Sequence, residues 1–265
     1  MKKLICLTLF LAFMVGTIIF AEETIKKTQA KELTAREILE KTDAQNDTRD
    51  QFSQIKMTLI DKSSKESSRK VTLWTKGDRK RLIKFLAPAD VKGVGFLVLD
   101  ADTPEEKMYL YLPAYKKIRR IAGSAKRGSF MGTDFSYDDI GSSNYSQDYD
   151  PERLPDEEHQ FVLELKKKKD SEVGYDKLIA WISPEVFVPT KVEFYKIKRV
   201  EEKESFELAK IMTVEKIENI KKYWMPTKLV MENIDKEHKT ILELDQIEVD
   251  RGLSDELFTL RYLQR

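Results

Sequence analysis

After residue 46 the chain adopts an alternation of apolar and polar side chains and keeps it, in short runs, nearly to its end. Ile55, Met57 and Leu59 alternate with Lys56 and Thr58; Val71, Leu73 and Thr75 alternate with Thr72 and Trp74; Ile83 and Phe85 flank Lys84. Successive strand residues face opposite sides of a sheet, so each run reads as a strand with one buried face. The pattern resumes at residues 161–165, 178–183, 190–197, 206–217, 224–231 and 241–249. Turn chemistry separates the runs: serine and charge at 61–68, and Lys76-Gly77-Asp78. About ten or eleven short antiparallel strands are expected, a mainly β (α+β) chain built as an incomplete barrel or strongly curved sheet. One helix precedes them. Thr34 and Glu37 form a capping box, Ala35, Ile38 and Leu39 share one side, and the helix is expected to end near Asn46.

Residues 1–21 carry an export pattern: Lys2 and Lys3, an apolar run from Leu4 to Phe20 interrupted by Thr8, Gly16 and Thr17, then Ala21 before two glutamates. That run is short for a membrane span, which needs about 20 apolar residues. Cleavage near Ala21 is expected, followed by a flexible charged leader over 22–32 and a single domain over 33–265. Cys6, the one cysteine, falls inside the signal, so the exported chain has no disulfide, thiolate nucleophile or zinc-thiolate site. With 47 basic and 46 acidic side chains, losing Lys2 and Lys3 leaves one net negative charge, which argues against nucleic acid as a partner.

The stretch from Tyr109 to Ile140 breaks the pattern. It turns at Pro113, carries Lys116, Lys117, Arg119, Arg120, Lys126 and Arg127, then sets Phe130, Met131 and Phe135 among glycines. A long segment without a regular period inside a compact domain is more often functional than idle. Catalytic patterns are weak elsewhere. His159 lies beside Asp156, Glu157 and Glu158, and His238 lies in a charged turn; both read as exposed loop histidines without triad or metal spacing. Residues 123–129 superficially resemble a phosphate loop, but Gly128 is followed by Ser129 where that motif needs lysine. Asp134, Asp138 and Asp139 lack calcium-loop spacing and are expected to cap a turn or pair with Arg119, Arg120 and Arg127. Lys166 to Lys169 is expected at a solvated hairpin end, and the acidic, proline-containing 148–158 as a loop. No catalytic residue, metal or cofactor is expected.

Residues 86–100 (LAPADVKGVGFLVLD), the segment that follows, the Trp181-Ile-Ser-Pro-Glu and Val188-Pro-Thr-Lys pair, and the tail from Trp224-Met-Pro-Thr together resemble the bacterial outer-membrane lipoprotein-sorting family, in the LolA/LolB superfamily. The resemblance implies an incomplete antiparallel barrel with lid elements around an apolar cavity. It also implies a periplasmic carrier that binds lipid or lipoprotein acyl chains and delivers them toward the outer membrane, with an inner-membrane exporter and an outer-membrane acceptor as possible partners. A lipid-sensing regulator or exporter-associated binding protein on the same scaffold is the alternative. Covering a sixteen-carbon chain is worth on the order of 12 kcal/mol, more than a flat patch supplies. Met57, Trp74, Phe96, Tyr111 and Trp181 are the expected lining. Residues 121–140 are expected to be a gate, with Phe130, Met131 and Phe135 over the mouth and Arg119, Arg120, Lys126 and Arg127 on the docking rim.

Overall fold

A computed structural model of the chain describes residues 33–45, 48–101, 103, 106–141, 144–201 and 203–265. The export signal and leader read from residues 1–32 lie outside the described residues. Helix α1 (Ala35–Ala44) follows Thr34 and buries Ile38, Leu39 and Thr42, a spacing of one and three that keeps them on one side.

Thirteen strands among the described residues form one antiparallel sheet, built from two meanders. The first is β1 (Asp50–Ile60), β2 (Glu66–Lys76), β3 (Lys80–Ala87), β4 (Gly95–Leu99), β5 (Lys107–Leu112) and β6 (Lys117–Ile121). The second is β7 (Tyr149–Glu157), β8 (Gln160–Lys167), β9 (Lys177–Ile182), β10 (Pro189–Val200), β11 (Lys203–Ile220), β12 (Tyr223–Asn233) and β13 (His238–Val249). The two join where β1 pairs with β13, which leaves β6 and β7 as the free edges. These two strands are consecutive in sequence, so residues 122–148 carry the chain from one edge of the sheet to the other. The sheet does not close, and the expected mainly β, incomplete-barrel, LolA-like class holds.

The thirteen strands exceed the expected ten or eleven, and the two edges are among those the pattern did not yield. The stretch expected as a loop over 148–158 is largely β7, paired with β8 from Tyr149↔Lys167 to Leu154↔Val162. Pro151 and Pro155 are tolerated because an edge strand needs ladder donors on one side only. β6, Lys-Ile-Arg-Arg-Ile, is mostly exposed and shows no buried alternation to read. Register shifts at Phe52/Gln54, Phe194/Tyr195 and Val214/Lys216 bend the central strands, as bulges do.

The outer face has its own core. Leu82, Leu97, Phe258 and Leu263 are buried together, with Trp74, Tyr109 and Tyr111 packed against them. The C-terminal tail, ending in helix α4 (Leu260–Leu263), supplies half of that cluster. Asp50 sets its path: the carboxylate accepts the backbone N–H groups of Arg251 and Gly252, each at 2.8 Å, and of Leu253 at 3.2 Å. Gly95 is required beneath the tail, because a Cβ there would sit 2.6 Å from Leu263 Cδ1.

Candidate functional site

The inner face presents an apolar ladder in register. Met57 on β1 pairs with Leu242 on β13, Leu242 with Leu229 on β12, and Leu229 with Val214 on β11. Ile55 and Leu244 make the next rung. Met212, Met225 and Met231 lie on the same side, and such flexible thioethers fill irregular space. Between this face, the end of α1 at Thr42 and the edge-to-edge segment is a cavity of about 370 Å³.

The segment forms the opposite wall. Within it are a 3₁₀ turn over Gly123–Arg127, helix α2 (Tyr137–Gly141) and helix α3 (Tyr145–Asp148). Between them the chain doubles back: Phe130 N–H donates to the Phe135 carbonyl at 2.7 Å, and Gly132 takes a φ of +80° that suits glycine. Phe130 is fully buried, with ring centroids 5.8 Å from Phe85, 5.2 Å from Phe96 and 5.5 Å from Tyr137.

Polar groups pin the segment to both meanders. Arg81 donates to the carbonyls of Ile140 and Gly141, each at 2.8 Å, and the Arg69 guanidinium donates to the Met131 carbonyl. Asp134 lies 2.6 Å from His238 Nδ1 and accepts Thr240 Oγ1–H at 2.7 Å, while its own N–H donates to Thr240 at 3.0 Å. Asp139 accepts from Ser136 N–H at 2.7 Å, the Tyr175 hydroxyl at 3.1 Å and Lys210 Nζ at 3.2 Å. Asp43 of α1 accepts the N–H groups of Tyr145 and Ser146 at 3.0 and 2.9 Å.

Charge is sparse in the cavity lining, confined among the described residues to Arg81, Asp138, Asp139 and Asp148. Burial pushes the Asp138 carboxyl up to about 6; Lys126 opposes this, while Asp139, Glu106 and Asp148 add to it. Burial, then Asp139, also raise the Tyr175 phenol, and burial raises Tyr145 and Tyr149. The hydroxyls of Tyr149 and Tyr175 donate, to the Tyr175 carbonyl at 3.2 Å and to Asp139 at 3.1 Å respectively. Among the described residues no group of three or more His, Cys, Asp or Glu side chains is placed to hold a metal ion.

Of the residues expected from sequence, Met57 and Phe135 line the cavity. Trp74 and Tyr111 pack on the outer face under the C-terminal tail. Trp181 is also turned away from the cavity: its Nε1–H donates to Glu157 at 2.9 Å and Lys191 Nζ lies 4.2 Å from its ring centroid. Phe96 and Phe130 belong to the buried aromatic group, so Phe130 anchors the segment where a mouth cover was expected, and Met131 is half-buried beside it. Arg119 and Arg120 are exposed on β6, and Arg127 is exposed beside Gly174. Lys126 is paired with Glu106 and is not a free rim cation.

Of the two expected roles for these aspartates, Asp139 caps a turn, accepting the Ser136 N–H while its own N–H donates to Ser136 Oγ, and pairs with Lys210, not with an arginine; Asp134 is taken by His238 and Thr240. His238 is therefore a partnered residue at the start of β13, which corrects its reading as an exposed loop histidine. Sequence reasoning missed Tyr175, Lys210 and the β11–β13 wall. The methionines at 212, 225 and 231 on strand-like runs were the available signal for that wall.

An open antiparallel sheet bridged edge to edge over an apolar cavity is a LolA-like fold. A family model described as an uncharacterized protein matches residues 77–265. A domain assigned to outer membrane lipoprotein sorting, from Vibrio parahaemolyticus, is 29% identical with a TM-score of 0.78, over 87% of this chain and 98% of that one. A DUF1329 family protein from Desulfovibrio piger is 27% identical with a TM-score of 0.78, over 87% and 98%. A LolA superfamily protein from Nitrosomonas europaea, 24% identical with a TM-score of 0.70 over 87% and 100%, shares the fold. No curated protein matches the sequence. The chain belongs to the family whose model it matches, and it shares its fold with these neighbours.

Proposed function

We propose that this protein is a periplasmic, non-enzymatic carrier that takes up the acyl chain of a lipid or lipoprotein and delivers it toward the outer membrane. In this reading residues 1–21 are the export signal, 22–32 the leader and 33–265 the lipid-binding domain. The observation that carries the proposal is the apolar cavity of about 370 Å³ between the Met57–Val214 ladder and Phe135. Small-molecule sites run from about 300 to 1,000 Å³, so this one suits a single acyl chain in the conformation described. Met57, Phe135, Leu229 and Leu242 hold the chain. Arg119 and Arg120, exposed on edge strand β6, make the first contact with an anionic membrane or an acidic acceptor, affecting encounter more than retention.

The test is titration with a fluorescent sixteen-carbon fatty acid, combined with native mass spectrometry of protein purified from its own periplasm. Saturable binding that unlabelled lipid competes away supports the carrier. A folded protein that neither binds the probe nor retains an acyl species overturns it.

A further inference from the structure

A second, smaller cavity of about 180 Å³ lies behind the apolar one. The two share a wall. Tyr175 lines both, and the backbone of the segment alternates across it: Phe135 faces the apolar cavity while Asp134 and Ser136 face the small one. The small cavity is basic. Arg127, Lys196, Lys210 and Lys236 surround it, against Asp134 and Asp235. Asp134 is committed to His238 and Thr240, and Lys210 to Asp139 across the wall. Arg127, Lys196 and Lys236 form no ion pair among the described residues; Arg127 reaches only the Glu172 carbonyl, at 3.5 Å. Three cations thus face one uncommitted carboxylate, with the Ser129, Thr133 and Ser136 hydroxyls beside them.

Such a site attracts an anion rich in acceptors, and a phosphate group is the chemistry that several amines and one guanidinium recognise best. A phosphate in the cavity also competes for Lys210. Drawing that ammonium from Asp139 removes one of the bonds that hold the wall closed at Tyr175. Resting on the carrier reading, we infer that the basic cavity takes the phosphate group of a single-chain acyl phospholipid whose chain runs past Tyr175 into the apolar cavity.

The test compares a lysophosphatidic acid with the monoacylglycerol of the same chain, each displacing a fluorescent fatty acid from the full-length protein. A triple variant, Arg127→Gln, Lys196→Gln and Lys236→Gln, changes exposed side chains only and leaves the Lys210–Asp139 pair in place. The phosphate lipid is expected to bind about tenfold more tightly than the monoacylglycerol, an advantage lost in the triple variant while monoacylglycerol affinity is unchanged. Inorganic phosphate is expected to weaken the lysophosphatidic acid alone. Equal affinities in the parent, or an advantage that survives in the variant, overturn the inference. So does inorganic phosphate that binds the basic cavity without affecting either lipid, which would make it a free-anion site. If neither lipid binds, the carrier reading itself fails, whatever the phosphate result.

Discussion

The hydroxyl of Tyr175 donates to Oδ2 of Asp139 across 3.1 Å, and this bond ties the approach to β9 to the segment that joins the two edges of the sheet. The same carboxylate oxygen accepts from Lys210 of β11 at 3.2 Å, so two parts of the second meander and the segment meet at one side chain. Asp139 and Lys210 are only 10% and 12% exposed. Removing either partner of a pair so enclosed leaves the other charge without compensation.

Tyr175→Phe should cost about 1 kcal/mol, the worth of one hydrogen bond, because Asp139 keeps Ser136 and Lys210. Asp139→Ala should cost about 3 kcal/mol, since Lys210 is stranded. Urea denaturation of the two variants reads the difference directly. Equal losses would mean that the ion pair is not the stronger tie.

Phe130 and Phe135 should separate under substitution although they are five residues apart. Phe130 is packed on three rings, and Phe130→Ala is expected to lose about 3–5 kcal/mol. Phe135 already faces open space on one side, so Phe135→Ala should lose less stability and release a bound fatty acid faster. Stopped-flow release alongside thermal denaturation tests both. Faster release from the Phe130 variant alone would restore it as the mouth residue.

The apolar cavity should close to ligand when its ladder is filled. Leu229 projects between Leu242 and Val214, and Leu229→Trp places an indole in the empty volume. A sixteen-carbon probe should bind about tenfold more weakly, a change of about 1.4 kcal/mol, with little loss of stability. Unchanged affinity in a folded variant would place the chain elsewhere.

Asp138 gives the cavity a pH dependence of defined sign. Its carboxyl rises from 3.8 to about 6, chiefly through burial. Between those values the folded chain holds more protons at this site than the unfolded chain. This group's contribution therefore favours folding increasingly as pH falls through that window, and above about 6 its ionisation is a constant cost. Asp138→Asn should be more stable than the parent near pH 8, and the gap should shrink toward pH 4. Denaturation midpoints across that range check it; a gap independent of pH would mean that the carboxylate is solvated.

The alternation in β1, β2 and β3 and in most of β8 to β13 was written into the chain, because those strands bury one face against protein; β11, with no buried residue, is the exception. Side-chain period is enough to reveal such a strand and to show that Trp74 and Trp181 stand opposite their aliphatic neighbours. The edge strands were not readable: β6 and β7 are paired on one side and largely exposed, so burial imposes no period on them. Nor could the local pattern say which face encloses the cavity. That depends on the tail returning from Leu263 to Gly95, which buries Trp74 and Tyr111 on the outside and leaves Met57 on the inside. The region at 109–140 stood out by losing its period, yet its partners are Thr240 and His238, more than a hundred residues from Asp134. Composition and period determined a curved β protein with one unusual segment. Only the joining of β1 to β13 made that segment the wall of a cavity, because it forces two strands adjacent in sequence to opposite edges of the sheet.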